Sequence, residues 1–131
     1  MIELKKLAWS DEAEKGLAVA LGEKLFDVAE QVISGRCELW SVGGHGYVVT
    51  RFEINHEYKA LVLIAGQGWA EDGAGYLASV KAFCNVAANI GADRVETETH
   101  RPAIGRMIKS IGFKEVQRKY ELDLTAVKYG Q

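Results

Sequence analysis

Three side chains able to move protons stand at alternate positions in the run Arg94-Val-Glu-Thr-Glu-Thr-His100: Glu96, Glu98 and His100. If the run is a strand, its period of two puts all three on one face. A carboxylate beside an imidazole near a strand end can take a proton from an amine, so Glu98 and His100 are the first candidate catalytic residues. Glu53, in Tyr47-Val-Val-Thr-Arg-Phe-Glu-Ile54, is the third. Cross-strand pairing of these carboxylates with Arg51 and Arg94 is the competing, purely structural use of the same residues. A different chemistry is suggested by the segment Gly66 to Gly75, which carries glycine at 66, 68, 73 and 75. Glycines let a backbone approach a ligand closely, and a helix that follows offers unpaired N–H groups to an anion.

Other chemistries find no pattern. His45, His56 and His100 are widely spaced and form neither an HExxH nor a zinc-ribbon arrangement, so no metal site is expected. Gly66-Gln-Gly68 followed by Gly73 and Gly75 does not reproduce GxGxxG, and no Lys follows as in a phosphate-binding P-loop. No serine sits in a nucleophile elbow.

The elements that must position these residues are readable from period and punctuation. Ile2 to Leu7 reads as a short strand, and Ser10 as the N-cap of a helix over Asp11 to Leu21 with acids in its first turn. Gly22 separates a second helix, Glu23 to Ile33, in which Leu25, Phe26, Ala29, Val32 and Ile33 recur at helical spacing. Cys37 to Val42 and Tyr47 to Ile54 are rich in β-branched and aromatic residues and flank Gly43-Gly44-His45-Gly46, a hairpin signal. Lys59 to Ala65 is an apolar run suited to a central strand. A helix follows the glycine-rich segment and stops at Gly91; then come the strand from Arg94, a helix opened by Pro102, and closing strands at Phe113 to Val116 and Arg118 to Leu124.

The 131 residues suit one domain over 1–131, and a 48% apolar fraction suffices for a core without staples. The net charge of −2 gives no overall attraction to nucleic acid or anionic membrane. It is unevenly spread: the first 35 residues hold four Lys against seven acids, whereas Arg94 to Gln131 holds eight Lys or Arg against five. The basic stretch lacks the interleaved aromatics of a single-strand-binding surface and reads as a solvated face. The start MIELKKLAWSDEAEK has no signal-peptide run, and the longest apolar stretch, Ala60 to Gly66, is far short of a membrane span. Cys37 and Cys84 lie 47 residues apart without CxxC spacing, which points to a reduced, cytoplasmic protein. Trp40 is expected in the core, and Trp69 in the glycine-rich segment is placed to stack on a ligand or anchor a partner.

This order of elements resembles the GNAT (acyl-CoA N-acyltransferase) superfamily over almost the whole chain. Two stretches carry the likeness: the run Leu61 to Ala65 leading into Gly68, Gly73 and Gly75 ahead of a helix, and Ile104-Gly-Arg-Met-Ile-Lys-Ser-Ile-Gly-Phe113, similar to the family segment that ends in Gly-Phe before a last hairpin. The resemblance implies an α+β fold with a mixed, mostly antiparallel central sheet and about four helices. It implies acetyl-CoA as cofactor, lying against a splayed central strand with its pyrophosphate on the loop entering the central helix. Carried over residue by residue, that assigns Ile64, Ala65, Gln67, Gly68, Gly73, Ala74, Gly75 and Tyr76 to the cofactor. The acceptor would be an amine of a small molecule or protein. The chain departs from the family pattern at Ala70, where Arg or Gln is usual, and at Ile108, where a Tyr acid is common; Glu71 and Asp72 bring negative charge to the phosphate loop. The segment Arg106 to Gly112 also looks like that of acetyltransferase-like proteins of tailed bacteriophages. This gives an alternative: a non-catalytic, virion-associated protein that works through a protein partner or as a homo-oligomer.

Overall fold

A computed structural model describes residues 2–43, 46–67, 73–98 and 102–116. Among these residues the chain runs β1 (Leu4–Leu7), α1 (Asp11–Leu21), a 3₁₀ turn (Gly22–Lys24), α2 (Leu25–Ile33), β2 (Glu38–Val42), β3 (Gly46–Ile54), β4 (Lys59–Gln67), α3 (Gly73–Asn89), β5 (Arg94–Thr97) and α4 (Pro102–Ser110). The strands form one sheet in the order β1-β2-β3-β4-β5. The first three pairings are antiparallel and the last, β4 with β5, is parallel. The α+β architecture with its mixed, mostly antiparallel sheet is therefore as the sequence indicates.

Local chemistry explains most boundaries. The Ser10 hydroxyl accepts the Ala13 N–H at 3.1 Å, closing the first turn of α1, and such a cap contributes about 1 kcal/mol. Gly22, at φ +52°, stops α1 where its own N–H reaches the Ala18 carbonyl, and this change of direction lets α2 lie beside α1. The α2 stripe that turns inward is Leu25, Val28, Ala29 and Val32, at the i, i+3, i+4, i+7 spacing of one helix face. Phe26 and Ile33, expected inside from their helical spacing with Leu25, Ala29 and Val32, sit one position off that stripe and are 75% and 72% exposed.

Two cores form, one on each face of the sheet. On the α1–α2 face Ala13, Leu17, Leu21 and Val28 pack against Cys37, Leu39 and Val49. On the α3 face Phe83 and Ala87 meet Trp40, Val42, Val48 and Leu61. The Trp40 and Phe83 rings lie edge to face with centroids 5.6 Å apart, and the Trp40 indole N–H donates to Thr50 Oγ1 at 2.9 Å. Trp40 is thus a core residue, as expected. Cys37 belongs to the first core and Cys84 to α3 on the other face, so the sheet separates the two free thiols.

The last expected element differs. Lys114 to Val116 are exposed and take no regular structure, and no described strand pairs with them. The segment instead closes α4: the Phe113 N–H donates to the Ile108 carbonyl at 3.2 Å past Gly112, whose φ of +106° only glycine adopts easily. The second closing strand, Arg118 to Leu124, lies outside the described residues.

Candidate active-site cleft

The feature that organises the site is a change of phase in β4. Val49 of β3 faces Ala65, but the next residue, Thr50, faces Leu63, leaving Ile64 as an extra residue in β4. A bulge of this kind shifts the side-chain alternation by one. Its effect is visible in the packing: Leu61 and Leu63 join the α3-face core, whereas Ile64 and Ala65, though adjacent, both pack on the α1–α2 face.

Beyond the bulge β4 also loses a neighbour. Its parallel ladder with β5 covers Ala60 to Leu63 opposite Arg94 to Thr97, while β4 itself continues to Gln67. Among the described residues, the strand from Ile64 to Gln67 is paired with β3 alone. Backbone donors and acceptors on a strand edge that has lost its ladder suit a ligand that can pair with them. Gln67, the last residue of β4, stands opposite Tyr47.

Six residues further on α3 begins, at Gly73. Sequence reasoning placed Gly73, Ala74 and Gly75 in the loop ahead of this helix; the structure puts them, with Tyr76, in its first turn. These are the four positions whose N–H groups have no acceptor within a helix, and they carry the positive end of the dipole of a 17-residue helix. Of the expected cofactor residues, then, Ile64, Ala65 and Gln67 lie on the stretch of β4 beyond its ladder with β5, and Gly73 to Tyr76 at the start of α3. Gly68 lies outside the described residues, as do Ala70, Glu71, Asp72 and Trp69.

The expected catalytic residues are not all brought together. Glu98 follows the end of β5 beside the point where β4 and β5 part, and it is exposed. His100 lies outside the described residues. Glu53 is elsewhere: it faces Ala60 at the opposite end of β4, four residues before Ile64, and at about 3.3 Å per residue that is on the order of 13 Å along the strand plus two strand spacings from Glu98. Its carboxylate accepts the Arg51 Nε–H at 2.8 Å, so Arg51 is its partner as in the structural alternative, but along one strand rather than across two. Arg94 does not pair with a carboxylate of its own strand; its guanidinium stacks 3.5 Å over the Tyr58 ring.

The structure draws attention instead to Glu96. It sits in β5 opposite Val62, two residues from the point of separation, on the face opposite Val95 and hence on the α1–α2 side. Its Oε2 is buried and has no hydrogen-bond partner among the described residues. A buried, unpaired carboxylate oxygen is uncommon in native proteins and marks a place where a further donor belongs. The period-two run from Glu96 to His100 contained this residue, but only burial distinguishes it from Glu98. Ile108, where the resemblance has a Tyr acid, is buried in the inward stripe of α4 and has a packing role.

On the α1–α2 side of the cleft the Tyr47 hydroxyl bonds to the Glu12 carboxylate. Burial, reinforced by that carboxylate's charge and hydrogen bond, raises the phenol above its ordinary value of 10.0. Burial likewise raises the Cys37 and Cys84 thiols above 9.0. In each case the folded state holds the proton more tightly than the unfolded one. The associated stability is intact below the unfolded value and is lost as pH climbs through the folded one. The urea midpoint is therefore expected to fall above about pH 9, and Tyr47→Phe to flatten the part of that fall beyond about pH 10. An unfolding series from pH 7 to 11 measures both.

Among the described residues no His, Cys, Asp and Glu side chains cluster to hold a metal, and no helix is long and apolar enough to cross a membrane. No protein-family model and no curated protein sequence matches the chain. Solved structures do. A transcriptional regulator from Bacillus halodurans superposes with a TM-score of 0.69 at 12% identity, covering 94% of this chain and 99% of its own. The ribosomal-protein-alanine N-acetyltransferase of Brucella melitensis gives 0.65 at 14%, with 94% and 99% covered. An aminoglycoside N-acetyltransferase in complex with CoA gives 0.62 at 10%, with 94% of each chain covered. At these identities the likeness is one of architecture: with its bulged central strand, parted parallel pair and helix beginning beyond the gap, the chain has a GNAT-like fold.

Proposed function

We propose that the protein transfers an acyl group, in the first instance acetyl, from its coenzyme A thioester to an amine. The observation that carries this reading is the stretch of β4, Ile64 to Gln67, that continues beyond its ladder with β5 and precedes the first turn of α3 in the chain. The two parts fit the two ends of such a cofactor: a strand edge can pair with the amides of an extended pantetheine arm, and helix N-terminal N–H groups suit its phosphates. Acetyl-CoA, when bound, supplies the acyl group already activated as a thioester. The chain's own residues orient and deprotonate. The β4 edge fixes the direction of the arm, the start of α3 anchors its anionic end, and Glu96, with Glu98 two positions on in the sequence, takes the proton that the acceptor ammonium must lose before its nitrogen attacks; His100 is the further candidate for that role.

Calorimetric titration of acetyl-CoA into the protein tests this directly. Micromolar binding is the expected result and would justify a screen of amine acceptors by release of free thiol. No heat and no thermal shift with millimolar ligand would overturn the reading.

The second reading is a non-catalytic protein of this fold that acts through a protein partner, as in the tailed-bacteriophage relatives the sequence resembles. Its support is the pair Phe26 and Ile33, two large apolar side chains left exposed seven residues apart along α2. Failure of the titration would direct attention to that surface.

A further inference from the structure

At the other end of the sheet from the cleft, on the α3 face, is a pocket of about 300 Å³ that the acyl-transfer reading does not use. It lies where α3 leaves the sheet. Trp40, Phe52 and Leu61 rise from β2, β3 and β4, and Val86 and Ile90 come from the end of α3. Leu61 is six residues from Gln67, so roughly 20 Å of strand separates the pocket from the far end of the cleft. Phe52 and Ile90, large apolar residues on its wall, remain substantially exposed.

The polar groups of the pocket are few and placed at its margins. Lys6 stands 5.3 Å over the Trp40 ring and pairs with Glu38 at 3.2 Å, so these two charges cancel. Arg36, also on the rim, meets no carboxylate among the described residues; its Nε donates only to Ser34 Oγ, at 3.2 Å. The rim thus keeps one net positive charge, on a guanidinium whose terminal N–H groups are shaped for a carboxylate. On the floor Thr50 is 1% exposed, and its oxygen accepts from the Trp40 indole.

The geometry points to a binding site for a small aromatic carboxylate, its ring against Trp40 and Phe52 and its carboxylate on Arg36. Apolar walls with a few convergent polar groups are the usual make-up of a small-molecule site, and the volume is at the lower end of the range for one. Aromatic surface gains most from walls that are themselves aromatic, and the uncompensated guanidinium selects an anion over a neutral or cationic ligand.

The Trp40 indole N–H reports on the site, because it is hydrogen-bonded beside it. In ¹H–¹⁵N spectra of the full chain, with this resonance assigned through Trp40→Phe, phenylacetate is expected to shift it saturably at millimolar concentration. Arg36→Gln, a change at an exposed side chain that leaves the core untouched, is expected to weaken the binding about tenfold, and phenylacetamide to bind about tenfold less well than phenylacetate, the value of one charge-assisted contact. No saturable shift with phenylacetate, or equal affinity in the Arg36→Gln variant or for the amide, would overturn the proposal. So would a Trp40 shift that follows protein concentration without any probe, since that would assign the pocket to a second copy of the chain.

Discussion

Gly73→Glu is expected to weaken acetyl-CoA binding about 100-fold while leaving the protein as stable as before, or slightly more so. The two effects have opposite signs for one reason. Gly73 opens α3, where the helix dipole is positive. A carboxylate there interacts favourably with the dipole, by about 0.3–1 kcal/mol, and replacing a helical glycine removes backbone freedom from the unfolded chain. The same carboxylate occupies the donors that the proposed phosphates need and repels them. At a separation of about 5 Å and an effective dielectric near 20, that repulsion is roughly 3 kcal/mol, or a loss of about 100-fold in affinity. Calorimetry of the variant beside its urea midpoint reads both at once. Unchanged cofactor affinity would move the anion site away from α3. Loss of binding together with loss of the fold would mean that the residue is structural.

Phe83→Ala is expected to cost about 3–5 kcal/mol, the largest effect expected among the fully buried side chains described. Phe83 is 1% exposed and is the bulkiest of the fully buried side chains. Its loss removes apolar burial against Val48 and Leu61, opens a cavity under α3, and deletes the ring that meets Trp40 edge to face. The Trp40 side can collapse little, because its indole is tied to Thr50. For a domain whose whole stability is of order 5–15 kcal/mol the variant should be close to unfolding at moderate temperature. A shift in urea midpoint equivalent to less than about 1 kcal/mol would show that the α3-face core is not the main support of the sheet.

What the sequence could and could not reveal divides along the range of the interactions involved. The α1 boundaries, Asp11 and Leu21, were legible because a cap at Ser10 and a stop at Gly22 are decided within a few residues. The β2–β3 hairpin and the Pro102 start of α4 were legible for the same reason. The bulge at Ile64 was not: every residue from Ala60 to Ala65 is apolar, so a slip in alternation leaves no trace in the pattern. Glu53 was misplaced relative to Glu98 because strand composition gives a face but not which end of a neighbouring strand a residue meets; the register Glu53 opposite Ala60 decides that. Glu96 could be named from the sequence but not chosen, since its distinction is a buried oxygen without a partner. Phe26 and Ile33 were grouped with Leu25, Ala29 and Val32 by helical spacing, but the face that packs is centred on Val28 and Ala29 and leaves both outside.

The extra residue in β4 makes that strand two messages spliced in different reading frames. Before Ile64, odd-numbered positions answer to the α3 core; after it, the parity inverts, and Ala65 answers to the other face. A substitution tolerated at one position therefore predicts nothing about the position two residues along if the splice lies between them. Straightening the strand with the residue retained would turn Ala65 toward the α3 side and Gly66 toward α1, whereas deleting Ile64 would leave both on the faces they now occupy. Homologous strands that differ only in this insertion would therefore present the same faces to the cleft and differ in the local bend that the extra residue imposes.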